Sequence, residues 1–261
     1  MKRIGLITSG GDAPGMNAAI RAVTRSAISH EAKVIGFYFG YCGILAEEHI
    51  NLRSNTVGGI ISHGGTILRT ARCKEFYKKP GRKKVVDILK QHEIDSLVVI
   101  GGDGSLSGAQ KLYQEFDFPV IGIPASIDND IYGSDFSIGF DTAINTALSA
   151  IDKVRDTAYS HDRVFVIEVM GRENGFIALN CGLAAGAEGV IIPEYKYDLD
   201  RIAVSLIKMR ERGKISSIII VAEGAGKAHD ISEKLEKKNR VLISTYGPRS
   251  YAKRRKPYRI R

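Results

Sequence analysis

The sequence predicts an α/β protein built from two doubly wound parallel sheets. Short apolar runs such as Ser96–Ile100 have the length and residue types of buried strands. Glycine-rich turns follow two of these runs, at Gly10–Gly15 and Gly101–Gly104. Apolar residues then recur at the three- and four-residue spacing of one helix face. Strand, glycine turn and helix in alternation predict Rossmann-like domains, with parallel strands and helices on both sheet faces.

The first domain is predicted over residues 1–138. Its strands are expected at Arg3–Ser9, Lys33–Phe39, Ser96–Ile100 and Pro119–Pro124. Helices are expected between them, one beginning at Met16, one over Lys83–Gln91 and one ending at Tyr113.

The second domain is predicted over residues 139–245 and repeats the same alternation. Its helices are expected at Thr142–Tyr159, Phe176–Ala185, Leu199–Arg212 and Ile231–Lys237. Its strands are expected at Arg163–Met170, Gly189–Ile192, Ile215–Ala222 and Val241–Thr245. Residues 246–261 are expected to form a disordered basic tail.

Composition is that of an ordinary globular protein, because 44% of the 261 residues are hydrophobic and 26% are charged. The longest apolar runs are too short for a membrane-spanning helix, and the N-terminus is too short in its apolar part for a signal peptide. Cys42, Cys73 and Cys181 are far apart in the sequence and form no C-x-x-C pair. This spacing argues against a disulfide framework or a structural zinc site and favours a reducing cytoplasm.

The net charge of +9 comes mostly from the end of the chain. Seven basic residues and no acidic residue occur in the tail: Arg249, Lys253, Arg254, Arg255, Lys256, Arg259 and Arg261. The rest of the chain is nearly neutral. Such a tail is either a solvated end or a segment that binds nucleic acid through phosphate contacts.

Both glycine turns are candidates for binding phosphate. Each places backbone N–H groups at a helix N-terminus, where the helix dipole also favours an anion. Neither is a usual motif, because Met16-Asn17 stands where a P-loop has Lys-Ser/Thr and no G-x-G-x-x-G occurs. Asp103 lies among the glycines, where its carboxylate would repel phosphate unless Mg²⁺ lay between them. The structural alternative for Asp103 is an N-cap of the following helix.

An acidic segment follows the fourth predicted strand. If Ser126–Asp130 is extended, Ser126, Asp128 and Asp130 share one side and Asn129 takes the other. Two carboxylates about 7 Å apart can divide base and positioning roles toward one hydroxyl. The alternative is an Asx-rich turn. The position after a parallel strand favours a ligand site, because open α/β sheets bind ligands at that edge.

Several arginines lie near the predicted strand ends. Together Arg72, Arg163 and Arg172 are planar donors that suit phosphate groups, although each alone is more often a solvated charge. Arg21 and Arg25 are four residues apart on one helix face, which suits either a bound anion or a wet surface. The six histidines show no spacing of a zinc hydrolase.

Four blocks in unbroken order carry a resemblance to a known family: Gly10–Asn17, Gly101–Ser105, Ile127–Asp130 and Met170–Arg172. Over roughly residues 1–240 the sequence resembles bacterial ATP-dependent 6-phosphofructokinases. The resemblance implies the phosphofructokinase type of fold and transfer of a phosphoryl group from MgATP to the 1-hydroxyl of fructose 6-phosphate in glycolysis. It also implies a cytoplasmic homotetramer with ADP or phosphoenolpyruvate as effector and no membrane partner.

The resemblance assigns roles residue by residue. Nucleotide contacts fall on Gly11, Tyr41, Arg72, Cys73, Gly102, Asp103, Gly104 and Ser105, with Asp103 holding Mg²⁺. Asp128 would take the proton of the sugar hydroxyl, and Arg72 and Arg172 would stabilise charge on the transferring group. Sugar contacts fall on Ser126, Ile127, Asp128, Asp130, Arg163, Met170, Gly171, Arg172, Glu223 and Arg240, and Arg163 would reach the sugar phosphate of a neighbouring subunit.

Departures from the family pattern concern the donor, the effector and the C-terminus. Pyrophosphate-dependent relatives tend to carry Asp at the position of Gly104 and Lys at the position of Ala125. Gly104 leaves space for the α-phosphate of a nucleotide, so this sequence favours ATP as the donor. The effector site is partly matched, by Arg21, Arg25, Arg155, Gly186, Glu188, Arg212 and Lys214. The family's further arginine and aspartate are Ser54 and Gly59 here.

The family's Gly-His-x-Gln-Arg-Gly-Gly block is absent, and Tyr246 stands where its histidine is expected. We therefore expect a truncated or frameshifted C-terminus and a first domain that lacks its final elements. Three alternatives to the intact kinase follow: a catalytically weak or inactive chain that binds nucleotide, a nucleic-acid binder, and a kinase of another substrate.

Overall fold

The structure, a computed structural model, describes residues 2–161, 163–239 and 243–246. The chain separates into two compact units, Met1–Asp141 and Thr142–Arg261. The predicted α/β class with doubly wound sheets is confirmed. Arg240 and all of the predicted tail except Tyr246 lie outside the described residues.

A six-stranded sheet forms the centre of the first unit. Its strands are β1 (Arg3–Ser9), β2 (Lys33–Phe37), β3 (His49–Leu52), β4 (Ser96–Gly101), β5 (Val120–Ser126) and β6 (Ile138–Gly139). They lie in the order β3-β2-β1-β4-β5-β6. All neighbours are parallel except β2 and β3, which pair antiparallel.

Helices cover both faces of this sheet. They are α1 (Met16–Ser29), α2 (Tyr41–Leu45), α3 (Lys79–Gln91), α4 (Asp103–Phe116) and the start of α5 (Phe140–His161). Leu6 of β1 belongs to a core with Ile20 of α1, whereas the next residue, Ile7, belongs to a core with Val85 of α3 and Leu112 of α4. Because successive strand residues point to opposite faces, a strand with apolar residues at consecutive positions requires this double cover.

The second unit contains a four-stranded parallel sheet. Its strands are β7 (Val164–Val169), β8 (Gly189–Ile191), β9 (Ser217–Ala222) and β10 (Ile243–Tyr246), in the order β10-β7-β9-β8. Its further helices are α6 (Phe176–Ala184), α7 (Leu199–Glu211) and α8 (Ala228–Asn239). Every residue of β9 is buried, and Ile219 packs with Leu206 of α7 and Leu235 of α8.

Several short elements differ from the prediction, and the two-residue strand β6 is one of them. Helix α2 and strand β3 were not expected, because five and four residues are too few to show a period. The strand predicted over Lys33–Phe39 ends at Phe37, since Phe39 and Gly40 adopt positive φ angles of 57° and 61° and turn the chain into α2. Within the described ranges, no helix combines the length and apolarity needed to cross a membrane.

Candidate active site

The carboxyl ends of three parallel strands lie side by side in the first unit. Ser9 of β1 pairs with Gly101 of β4, and Gly101 pairs with Pro124 of β5. All three strands end at this row or within two residues of it. The two glycine turns and the acidic segment therefore leave the sheet at the same edge, where open α/β sheets bind their ligands.

The two glycine turns touch each other. A Cβ atom added at Gly10 would lie 3.0 Å from Ser105 Oγ, and one added at Gly101 would lie 2.9 Å from Ser105 Cβ. Gly11 and Gly104 differ, because no atom lies within 4 Å of a Cβ built on either. Packing therefore requires glycine at positions 10 and 101. At positions 11 and 104, glycine instead leaves the backbone exposed, so that a ligand can approach it closely.

Asp103 is the first residue of α4 and is exposed. The residue at the N-cap position is Gly102, so the N-cap alternative for Asp103 is wrong. Among the described residues, no group of three or more His, Cys, Asp or Glu is arranged to hold a metal ion. Mg²⁺ typically binds through one or two carboxylates together with substrate phosphates, so a single carboxylate beside a phosphate-binding turn fits this ion.

Asp128 lies just past β5, and its side chain is buried, with 4% of the residue exposed. Its backbone N–H donates a hydrogen bond of 3.2 Å to Ser126 Oγ. A Cβ atom at Gly102 would lie 3.8 Å from Ser126 Cβ. Ser126 thus connects the segment that carries Asp128 to the second glycine turn.

The extended alternation predicted for Ser126–Asp130 is wrong. Strand β5 ends at Ser126, and Asn129 has a positive φ of 54°. Its Oδ1 accepts a hydrogen bond of 2.8 Å from the Ser137 N–H, and its Nδ2 donates one of 3.1 Å to Asp135 O. The short amide side chain satisfies nearby backbone groups and so folds the segment as a turn, which overrides the two-residue period of a strand.

Arg72 is exposed on a loop that is fastened to β1 and α1. The Thr8 hydroxyl of β1 donates a hydrogen bond of 2.8 Å to Arg69 O. Asn17 of α1, which is 2% exposed, accepts one of 2.9 Å from the Ile67 N–H. The sequence shows Asn17 only as a replacement for a P-loop residue, although a polar residue on the buried face of an apolar helix is a usable sign of such an anchor.

Tyr41 supports the second glycine turn from α2. It is 3% exposed and stacks on Phe76, with ring centroids 3.6 Å apart and planes inclined by 9°. Its hydroxyl donates a hydrogen bond of 2.8 Å to Ser105 O. Burial raises the pKa of the Tyr41 phenol, so the hydroxyl keeps its proton and remains a donor.

A partly buried ion pair fixes the chain that follows Arg72 and Cys73. Arg82 of α3 donates to both carboxylate oxygens of Glu115 in α4, at 2.9 and 2.7 Å. It also donates to Phe76 O at 3.2 Å and to Tyr77 O at 2.7 Å. The hydrogen bond from Arg82 lowers the pKa of Glu115. Sequence spacing does not reveal such a pair, because its members are joined only by the packing of two helices.

The edge of the second sheet carries a turn that one carboxylate holds in place. Val169 of β7 pairs with Ala222 of β9, so the chain segments that follow these strands are neighbours. Glu223 Oε1 accepts hydrogen bonds from the N–H groups of Gly171 and Arg172, at 3.1 and 2.8 Å. Both residues have positive φ angles, 143° and 52°. Such a conformation is uncommon for arginine and persists because the surroundings fix it.

The remaining predicted sugar contacts have these positions. Ile127 and Asp130 flank Asp128 in the first unit, and Met170 is exposed just past β7 in the second. Arg163 immediately precedes β7 and lines a cavity of about 920 Å³ between α5, β7 and β10 of the second unit.

Four of the residues predicted to bind an effector meet in the second unit. Arg155 of α5 donates a hydrogen bond to Ala185 O, next to Gly186. Lys214 Nζ pairs with Glu188 Oε1 at 2.5 Å. Near the start of β8, Glu188 therefore neutralises the charge of Lys214, and a backbone carbonyl binds the guanidinium of Arg155.

The other three predicted effector residues lie on α1 or just past the end of α7. Arg212 follows the end of α7. On α1, Arg25 is exposed, and Arg21 Nη1 donates a hydrogen bond of 2.8 Å to Val57 O. A backbone carbonyl therefore already engages one of the two cations that the sequence suggested for an anion.

The first unit defines an α/β protein whose phosphate-binding turns stand beside a buried carboxylate, as in a class of phosphotransferases. Comparison with known proteins identifies the family. The model of the family described as phosphofructokinase matches residues 3–249. The chain belongs to the phosphofructokinase family.

Individual relatives are similar over most of the chain. It is 58% identical over 236 residues to the ATP-dependent 6-phosphofructokinase of Bacillus cytotoxicus, covering 90% of this chain and 74% of the relative. It is 56% identical over 247 residues to the enzyme of the same name from Halalkalibacterium halodurans, covering 93% and 77%.

A solved structure of phosphofructokinase from Saccharomyces cerevisiae superposes with a TM-score of 0.90 at 35% identity. It covers 96% of this chain, while this chain spans 38% of the yeast chain.

Proposed function

We propose that this protein transfers the γ-phosphoryl group of ATP to the 1-hydroxyl of fructose 6-phosphate, giving fructose 1,6-bisphosphate in glycolysis. The observation that carries the proposal is the single sheet edge at which both glycine turns and Asp128 meet. Relatives that are 56–58% identical over 90% or more of this chain are named ATP-dependent 6-phosphofructokinase.

The glycine turns bind the triphosphate. Gly11 offers its backbone N–H group from the turn that leads into α1. The Gly102–Ser105 turn offers N–H groups at the start of α4, which favours anions. The open space at Gly104 accommodates a nucleotide, and an aspartate there would place a carboxylate against its phosphates. Asp103 is positioned to hold Mg²⁺, which when bound neutralises charge on the phosphates.

Asp128 acts as the base. Its carboxylate takes the proton of the sugar 1-hydroxyl as that oxygen attacks the phosphorus atom. Phosphoryl transfer depends mainly on positioning and on electrostatic stabilisation. Arg72 supplies positive charge from a loop that Thr8 and Asn17 hold in place. Arg172 supplies a second guanidinium from the turn that Glu223 fixes.

The finer assignments concern the substrate contacts and assembly. Ser126, Ile127, Asp130, Met170, Gly171 and Glu223 contact the sugar, and Arg163 reaches the sugar phosphate of a neighbouring subunit in a cytoplasmic homotetramer. ADP or phosphoenolpyruvate binds near Glu188 and Lys214. The pairing of these two side chains at 2.5 Å gives that site a defined shape before an effector arrives.

The decisive experiment measures fructose 1,6-bisphosphate formed by the purified chain from ATP and fructose 6-phosphate. We expect turnover that requires both substrates and Mg²⁺. A parallel reaction with pyrophosphate in place of ATP is expected to give little product. A sizing column run on the same sample reports whether the active species is a tetramer.

A second candidate function is nucleotide binding with weak or no catalysis. It is favoured by one observation: β10 ends in Tyr246, where the family carries the histidine of its sugar-phosphate block. Calorimetry distinguishes the two candidates. ATP binding without product in the coupled assay would support the second, whereas binding together with turnover would exclude it.

A further inference from the structure

Two cysteines that are distant in the sequence meet beside the proposed nucleotide residues. Cys42 follows Tyr41 in α2, and Cys73 follows Arg72 in the loop before Phe76. Cys42 Sγ donates a hydrogen bond to Arg72 O at 3.7 Å, so the Cys42 sulfur lies against the backbone that leads directly into Cys73. Both thiols are free. Cys73 belongs to the apolar cluster between the sheet and α3, and Cys42 packs against the same cluster. Their spacing in the sequence does not indicate this contact.

We propose that Cys42 and Cys73 are a modification site, a dithiol that closes reversibly to a disulfide and then prevents nucleotide from binding normally. Formation of the bond depends only on the thiol geometry. Its consequence for ATP rests on the proposed function.

The two thiols differ in access, which sets the order of the reaction. Cys42 is partly exposed, whereas Cys73 is 7% exposed. A peroxide therefore reaches Cys42 first. The Cys42 thiolate attacks one peroxide oxygen, the O–O bond breaks, and a sulfenic acid and one water form. Cys73 sulfur then attacks the oxidised sulfur and displaces a second water, so two thiols are oxidised while one hydrogen peroxide is reduced to two waters.

Closure must move the loop that carries Arg72. A disulfide bond is about 2.05 Å long, much shorter than any non-bonded contact between two free thiols. Cys73 therefore has to approach α2, and Arg72 must move with it because its carbonyl already contacts Cys42 Sγ. The same movement alters the stacking of Tyr41 on Phe76, and hence the hydrogen bond that Tyr41 gives to Ser105 O.

The surroundings make closure slow at neutral pH. Burial raises the pKa of the Cys42 thiol to about 11, and hydrogen bonding with Cys73 and the charge of Glu75 act in the same direction. Little thiolate is present well below that pKa, and each rise of one pH unit increases it about tenfold. The oxidation is therefore best followed at mildly alkaline pH.

Cys181 provides an internal control. It lies in α6 of the second unit, is fully buried, and donates a hydrogen bond of 3.9 Å to Ile144 O. A Cys181→Ala variant should therefore close the Cys42–Cys73 bond as the parent does. A Cys42→Ala variant keeps Cys73 and the other nucleotide residues but cannot close it.

The experiment treats the parent and both variants with hydrogen peroxide, followed by peptide mass analysis, ATP calorimetry and the coupled assay. We expect a linked Cys42–Cys73 peptide, lighter by two hydrogen atoms, in the parent and in Cys181→Ala. In those two proteins kcat/KM for ATP should fall roughly ten- to a hundredfold, the size expected when a positioning loop is displaced, and a dithiol reductant should restore it.

Each outcome has one meaning. No linked peptide, with only sulfinic or sulfonic acid at Cys42, overturns the proposal. A linked peptide with unchanged ATP affinity and turnover overturns the claim that the disulfide impairs nucleotide binding. If the reduced protein binds ATP but makes no product, the proposed catalysis fails, while the linked peptide and the reductant-reversible loss of ATP binding still decide the cysteine proposal.

Discussion

The carboxyl edge of the first sheet exposes bare backbone, whereas that of the second sheet is shaped by one carboxylate. At Gly11 and Gly104 no neighbouring atom lies within 4 Å of the missing side chain. At Gly171 and Arg172, Glu223 binds two backbone N–H groups of a turn with positive φ angles. The backbone at a sheet edge can thus be arranged either by the absence of side chains or by hydrogen bonds to one carboxylate.

This difference predicts how a substitution at each edge impairs the proposed site. At the first edge, an added atom obstructs the ligand but leaves the fold intact. At the second edge, a removed atom releases the turn that orients Arg172. Substitutions at the two edges test this contrast, beginning with the one that removes the proposed base.

Asp128→Asn should have the largest effect. The amide keeps the shape of the buried side chain but cannot accept the hydroxyl proton, so kcat should fall about 10²- to 10⁴-fold, the usual contribution of a general base. ATP affinity should change little, since the phosphates bind at the glycine turns. The coupled assay and calorimetry measure the two quantities. An unchanged kcat would remove Asp128 from the role of base.

Gly104→Asp should mainly weaken ATP binding. The new carboxylate projects from the second residue of α4 into space that no protein atom fills, and its charge faces the phosphates. We expect KM for ATP to rise roughly tenfold or more, comparable to the loss of a charged contact, with no fall in melting temperature.

Gly104→Ala is the matched control for charge. Alanine is the better helix former and adds only a methyl group. Its KM should lie between those of the parent and Gly104→Asp. Equal damage from both variants would show that the space rather than the charge matters, and no damage from either would contradict a nucleotide at this turn.

Glu223→Ala tests the second edge. Losing an acceptor for two N–H groups should let the Arg172 turn relax, which we expect to raise KM for fructose 6-phosphate about tenfold, within the range for hydrogen bonds to a charged group. Glu223→Gln keeps an acceptor oxygen at the same place and should recover most of the loss. Steady-state kinetics at saturating ATP measure both. Equal KM values for the three proteins would contradict a positioning role.

The smallest effect is expected away from both edges, at Glu115. Its folded-state pKa is lowered, chiefly by the hydrogen bond from Arg82, from an ordinary value of 4.5. The stability it contributes is therefore fully present above that value and is lost as pH falls through the folded-state pKa. Glu115→Gln should lose less stability than the parent on acidification.

Urea unfolding at neutral and acidic pH measures this difference. Glu93→Gln is the control, because Glu93 forms an exposed pair with Arg3, and surface pairs contribute little. Glu93→Gln should follow the parent at each pH. A Glu115→Gln curve parallel to that of the parent would show that the Arg82 pair adds no pH-dependent stability.

Local pattern was enough for the long elements and for the edge at which the site lies. The strand predicted at Arg3–Ser9 has the bounds of β1, because its run of apolar residues is bracketed by charge and glycine. The acidic segment could not be predicted in the same way. Its shape depends on hydrogen bonds between Asn129 and two residues of a later loop, Asp135 and Ser137. These hydrogen bonds fold the segment as a turn, so it does not keep the two-residue alternation of a strand.

Contacts between distant segments account for the rest. Asn17 with Ile67, Arg82 with Glu115, and Cys42 with Arg72 are each brought into contact by packing between elements. Single residues of these pairs look ordinary in the sequence, because a polar side chain has no visible partner until the fold supplies one.

The anchors at Thr8 and Asn17 tie the loop that carries Arg72 to the two elements that flank the first glycine turn. Because these two hydrogen bonds join the loop to both elements, a displacement of the turn would also displace Arg72. We therefore expect a ligand that binds at the first glycine turn to fix the position of the Arg72 loop as well.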